Sequence, residues 1–156
     1  IGLGIMKDEA SVKAMSRTGD PKEILRGPLY YGIVFVLMTL IFWKDSPVGI
    51  VALMLMCGGD GIADVVGRRV KSPKLPWSKE KSVAGSLAVF IGGWALALLV
   101  VSIYGYAGVA GFSSAKLLMP IAIISFGGMI VESLPFKDID NLTITIAAVF
   151  LGLFLF

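Results

Sequence analysis

From Val83 to Phe112 the chain runs for 30 residues without one charged side chain, and this stretch decides which folds are open to it. A membrane-crossing helix needs about 20 consecutive apolar residues, so the run exceeds one crossing. Gly105, Gly108 and Gly111 place the end of the helix near Tyr104, with a loop beyond. Four more apolar runs accompany it: Pro28–Trp43, Pro47–Gly67, Leu117–Leu134 and Leu142–Phe156. Soluble domains hold about 25% charged residues; here the figure is 16%, with 56% hydrophobic residues and a mean hydropathy of +0.87. The expected fold is all-α, a polytopic integral membrane helix bundle with about five transmembrane helices. Residues 1–156 read as a single membrane-embedded domain whose first 27 residues form an interfacial polar segment. Within that segment Asp20-Pro21 followed by Glu23 predicts a short capped helix. The chain opens on Ile1, so it is expected to be a fragment that lacks upstream spans.

One cysteine and no histidine exclude an internal disulfide framework, a zinc site and histidine-based triads. Acid–base work falls to carboxylates, lysines or water. Simple back-and-forth threading puts the N-terminal segment, the loop from Arg68 to Lys81 and the loop 135–141 on one membrane face. That face collects twelve of the 14 basic residues, and the other has Lys44 and Lys116. The positive-inside rule places the richer face in the cytosol or its topological equivalent. Nothing here calls for a nucleic-acid partner; the lipid bilayer is the expected surrounding.

Into the second run the sequence inserts Cys57-Gly58-Gly59-Asp60-Gly61-Ile62-Ala63-Asp64-Val65-Val66-Gly67-Arg68-Arg69. On a helix Asp60 and Asp64 leave the same face one turn apart. A carboxylate at membrane depth costs roughly 2.5–3.5 kcal/mol on insertion scales, so something positive must accompany the pair. Two carboxylates suit a hard cation such as Mg2+, which takes one or two of them plus phosphate oxygens. Gly59 and Gly61 let backbone approach a ligand closely. The plainer alternative is an Asp64–Arg68 ion pair with glycines for helix packing, which leaves Asp60 without a partner.

The segment Arg68–Ser82 carries six basic residues, one acid and two prolines. By itself it reads as a headgroup-binding loop; beside a metal site it reads as a polyphosphate clamp of Arg68, Arg69, Lys79 and Lys81. A helix beginning near Ser82 offers a further anion-favouring end. No Walker A pattern occurs. Glu132, at the membrane end of its run, is a candidate metal ligand or hydroxyl base. Asp138, Asp140 and Asn141 serve either chemistry or the cap of a helix starting at Leu142.

Four blocks carry a family resemblance: Met15–Gly32, Cys57–Arg69, Lys74–Phe90 and Val131–Ile144. The chain resembles the phytol kinase and farnesol kinase family, polyprenol kinases related to dolichol kinase. The spacing D-x3-D-x2-G-R with the following K-L and K-x3-G-S is also similar to that of phosphatidate cytidylyltransferases. The resemblance implies CTP as phosphoryl donor, Mg2+ as cofactor and an isoprenoid alcohol (phytol, geranylgeraniol or farnesol) as substrate. For a plant protein it implies a chloroplast membrane and a place in phytol salvage of the tocopherol type. Asp60 and Asp64 would hold Mg2+, the basic residues the phosphates, and Glu132 or Asp140 the alcohol. Family members commonly have two adjacent aspartates before the final Asn-Leu-Thr. Here Ile139 separates them, which favours Asp140 over Asp138. Two rivals are a CTP-dependent cytidylyltransferase forming a CDP-lipid and an ion-coupled transporter using Asp60, Asp64 and Glu132. The transporter wants polar residues on a path to both faces, and these lie at one.

Overall fold

The computed structural model describes residues 8–15, 19–25, 27–43, 45–136 and 139–156. Lys44 and Asp138, named above from the sequence, lie outside them. Among the described residues seven α-helices follow in chain order: α1 (Glu9–Met15), α2 (Gly27–Phe42), α3 (Pro47–Met54), α4 (Gly61–Arg69), α5 (Val83–Tyr106), α6 (Ser114–Ser133) and α7 (Asp140–Leu155). Asp20 accepts a bond from the Lys22 amide at 2.9 Å and opens a 3₁₀ turn over Pro21–Leu25, the tighter form of the predicted short helix.

Helix starts follow local chemistry. Ser46 caps α3 by accepting from the Val48 amide, with Pro47 in the first turn, where its missing N–H costs nothing. Ser82 caps α5 in the same way through Gly85. Helix α5 continues two residues past the expected Tyr104. Gly108 and Gly111, at φ of +79° and +87°, then turn the chain into α6. Such dihedrals suit glycine.

Between α3 and α4 the helix does not stop. Residues Leu55–Asp60 take π-helical form, so Pro47–Arg69 is one rod with a wide turn in its middle. This rod, α5 and α6 are each long and apolar enough to cross a membrane; α2 and α7, 16 residues each, are shorter apolar helices. The rod buries far more of its length than the other two long helices. Every residue of Pro47–Leu53 is buried, and Val51, Leu55, Val101, Ile121, Ile124 and Ile144 join it in the main core. The result is an all-α membrane bundle packed around the rod.

Rod and α5 meet through small residues, as membrane helices do when packing rather than hydrophobicity must hold them. A Cβ on Gly59 would lie 3.1 Å from the Val89 carbonyl oxygen, and one on Gly67 would lie 3.9 Å from the Gly85 Cα. The glycines before Asp60 are therefore spent on helix contact.

The basic stretch expected as a loop is a β-hairpin, β1 (Lys74–Leu75) against β2 (Ser78–Ser82). Pairing is antiparallel, Lys74 with Ser82 and Leu75 with Ser78. One step along β1 thus faces four along β2, and Lys79, Glu80 and Lys81 bulge between the paired positions. A bulge suspends strand alternation and re-aims side chains.

Close packing at the α5–α6 turn makes a sharp prediction. A Cβ on Gly105 would stand 2.1 Å from the Phe112 carbonyl oxygen, whereas one on Gly61 meets nothing within 4 Å. In detergent, Gly105→Ala should lose about 1–3 kcal/mol of stability, and Gly61→Ala should be neutral or gain up to about 1 kcal/mol from helix propensity. Equal unfolding midpoints for the two variants would refute this packing.

Candidate functional site

At one end of the bundle the end of α4, the hairpin, the start of α5, the end of α6 and the start of α7 enclose a half-open cavity of about 300 Å³. Its lining includes Asp60, Asp64, Arg68, Lys74, Glu80, Lys81, Ser82, Glu132, Phe136 and Asp140. The π turn ends on Asp60, and Asp60, Ala63, Asp64 and Gly67 form one stripe facing the cavity. Residues remote in sequence by up to 80 positions are thereby gathered into one polar site.

Lys81 is the hub. Its ammonium lies 2.8 Å from Glu132 Oε1 and 3.4 Å from Asp140 Oδ2. Ser86 on α5 donates to the other oxygen of Glu132 at 3.1 Å. Glu132 is 5% exposed and Lys81 19%. Burial pulls the Lys81 ammonium towards neutrality, but the hydrogen bond and charge of Glu132, with Asp140 and Asp60 behind it, outweigh this. Its pKa is raised above the ordinary lysine value.

The four candidate carboxylates differ in occupancy. Both oxygens of Glu132 are engaged. Asp140 accepts from Lys81 and from the Asn141 amide at 3.1 Å, and it opens α7 two residues before the expected Leu142. Asp64 is bound by Arg68 at 3.0 and 2.8 Å, the i,i+4 pair anticipated as the plainer alternative. That pair is half to two-thirds exposed and is worth about 0.3–0.5 kcal/mol. Asp60 has no hydrogen-bond or ion-pair partner among the described residues.

Four expected contributors lie outside the cavity lining. Gly59 is buried against α5, and neither Arg69 nor Lys79 lines the cavity; Gly61 does not line it either. Lys74 and Glu80 stand there instead. Both were missed because the bulge, invisible to a strand pattern, carries Glu80, Lys81 and Ser82 to the same side. The start of α5 also differs from expectation. Its first amides are taken by Pro73 O (from Val83), Ser72 Oγ (from Ala84) and Ser82 Oγ (from Gly85). The helix dipole remains, but a phosphate would find no free amide in that first turn.

A divalent cation suits this donor set. Five carboxylates (Asp60, Asp64, Glu80, Glu132, Asp140) face three cations (Arg68, Lys74, Lys81) in the lining, an excess of two negative charges. Among the described residues no group of three ligating side chains could cage a metal by itself. Mg2+ typically takes one or two carboxylates and completes its shell with water and substrate phosphate.

Fold and site together define an all-α membrane bundle with an acid-rich, lysine-centred cavity at one end. Along nearly its whole length the chain is similar to curated proteins. A Triticum aestivum protein named "Probable phytol kinase, chloroplastic" is 44% identical over 99% of this chain and 52% of its own length. The Arabidopsis thaliana farnesol kinase is 41% identical over 100% and 51%, and the Arabidopsis phytol kinase 1 is 36% identical over 95% and 49%. The resemblance carried by the four sequence blocks therefore holds in homologues named phytol kinase or farnesol kinase. The chain spans about half the length of these relatives. No family model and no solved structure matches it.

Removing the Lys81 charge should strand Glu132 in a buried site. Lys81→Met is expected to cost about 3 kcal/mol at neutral pH. A raised lysine pKa contributes stability that is complete below the unfolded value of about 10.4 and fades as pH climbs through the folded value. The gap between wild type and variant should therefore stay constant to about pH 10 and then close. Denaturant melts across pH 7–11 measure it, and a gap that widens with pH contradicts the pairing.

Proposed function

We propose that this chain holds the catalytic site of a multi-pass membrane prenol kinase, transferring the terminal phosphoryl group of CTP to an isoprenoid alcohol such as phytol, geranylgeraniol or farnesol. The observation that carries the reading is Asp60, a half-buried carboxylate with no hydrogen-bond or ion-pair partner among the described residues, in a cavity whose described lining holds two more acidic than basic side chains. Homologues named phytol kinase and farnesol kinase support the acceptor class. The likeness of the D-x3-D-x2-G-R pattern to CTP-using enzymes supports the donor. "Chloroplastic" in the homologues' names supports a plastid membrane and, with phytol as acceptor, a role in phytol salvage for tocopherol-type metabolism.

In this scheme Asp60 and Asp64 would hold Mg2+, which when bound would supply positive charge against the phosphates. Arg68 can leave Asp64 at little cost, because their exposed pair is weak, and turn to the nucleotide with Lys74 and Lys81. Glu132 keeps Lys81 in place; at 5% exposure it is less open to a substrate hydroxyl than Asp140, which is 23% exposed. The prenol oxygen attacks the terminal phosphorus, the bond to the bridging oxygen breaks, and CDP leaves. Asp140, at the cavity edge on α7, receives the hydroxyl proton. Phosphoryl transfer has a loose transition state, so positioning and charge stabilisation carry most of the catalysis.

The test uses membranes bearing the full-length protein, crossing CTP, ATP, UTP and GTP with several prenols. Prenyl monophosphate and CDP are the expected products; pyrophosphate with a CDP-lipid would turn the reading to cytidylyl transfer. Asp60→Asn should lower kcat at least a thousand-fold, about 4 kcal/mol, with membrane insertion intact. Near-normal turnover in that variant would remove Asp60 from the metal site.

A further inference from the structure

The hairpin that delivers Lys81 is too small to hold itself. Two paired positions with three bulged residues between them fall well short of an independently stable ribbon, so its placement depends on what ties it down. At its base, α5 does so through the Val83 and Ala84 amides bonded to Pro73 and Ser72. At its tip Pro76-Trp77 make the turn, and the Trp77 indole N–H donates to the Ser133 carbonyl at 2.9 Å. Ser133 is the last residue of α6, where carbonyls have no partner within the helix, and it is the immediate neighbour of Glu132. The indole itself is 58% exposed, so its burial does not explain its fixed position. Tip and bulge thus grip adjacent residues of α6, Trp77 through Ser133 and Lys81 through Glu132.

We propose that Trp77 is a positioning residue that sets the height at which Lys81 enters the cavity, and so governs the affinity of the site for a Mg2+-bound polyphosphate. The choice of ligand rests on the kinase reading; the clamp geometry does not. Trp77 is not part of the cavity lining and acts through Lys81.

Trp77→Phe keeps an aromatic ring at the interface and removes the N–H. The full-length protein in detergent is titrated to millimolar with Mg2+–tripolyphosphate. The variant should bind roughly three- to ten-fold more weakly, the worth of one such hydrogen bond. In the prenol assay the nucleotide KM should rise by a similar factor with kcat within about two-fold, a split that general destabilisation does not give. In a background of Lys81→Met with Glu132→Gln, which removes both charges of the buried pair, Trp77→Phe should have no further effect. Wild-type affinity in Trp77→Phe overturns the proposal. So does an equal loss in both backgrounds, the outcome for a Trp77 that only anchors the hairpin to lipid headgroups, and so does a wild-type protein that does not bind tripolyphosphate. Trp77-dependent binding by a protein that phosphorylates no prenol would discard the kinase reading and leave the clamp standing.

Discussion

One ammonium group joins four elements of this bundle. Lys81 on the hairpin meets Glu132 at the end of α6 and Asp140 at the start of α7, while Ser86 on α5 holds the far oxygen of Glu132. A buried ion pair seldom adds net stability, because desolvating two charges offsets their attraction. What it does enforce is geometry: either partner displaced alone leaves a charge stranded in an apolar end of the bundle. The helices could pack through their apolar faces with some latitude at this end. The pair removes that latitude, and a cavity with defined walls results.

The second constraint is the wide turn in the central rod. A π segment adds a residue to a turn, rotating everything after it by about 100° relative to an uninterrupted helix. Leu55 and Met56 at its start are buried, while Asp60 at its end and Ala63, Asp64 and Gly67 beyond it face the cavity. The same segment holds Gly58 and Gly59, whose missing side chains admit Leu96 and Val89 of α5. Core packing and carboxylate presentation would otherwise compete for one helical face; the extra residue lets one rod serve both.

Helix boundaries were largely legible because apolar runs and caps are local signals. Pro47 and Val83 begin their helices where the sequence places them, and the other ends of the five apolar helices differ by a few residues. Gathering of Asp60, Asp64, Lys81, Glu132 and Asp140 was foreshadowed by the charge count, which put them all at one face. The hairpin was not legible. Lys-Glu-Lys beside two prolines looks like a loop, and its strands exist because α5 and α6 supply anchors that no local pattern contains. For the same reason the exchange of Lys74 for Lys79 could not be foreseen. The glycines before Asp60 were ambiguous in a different way: close approach was the right physics, but the approaching group is α5.

The charge balance of the cavity orders what can enter it. A bare polyphosphate would meet two excess negative charges and carry several more into a partly desolvated site, where Coulomb energies exceed their values in water. The proposed ligand, a magnesium-bound polyphosphate, would present less net charge and would bring a cation to Asp60, which has no ion-pair partner among the described residues. The three cations of the lining are not equally available. Lys81 is already engaged by two carboxylates, and Arg68 is tied to Asp64 only by a weak exposed pair. The metal end of the ligand would therefore be drawn to the α4 stripe, freeing Arg68 as Asp64 turns to the cation. Lys81, already fixed from behind by Glu132, can then meet the phosphates without moving, which is the condition for charge stabilisation without reorganisation in the transition state.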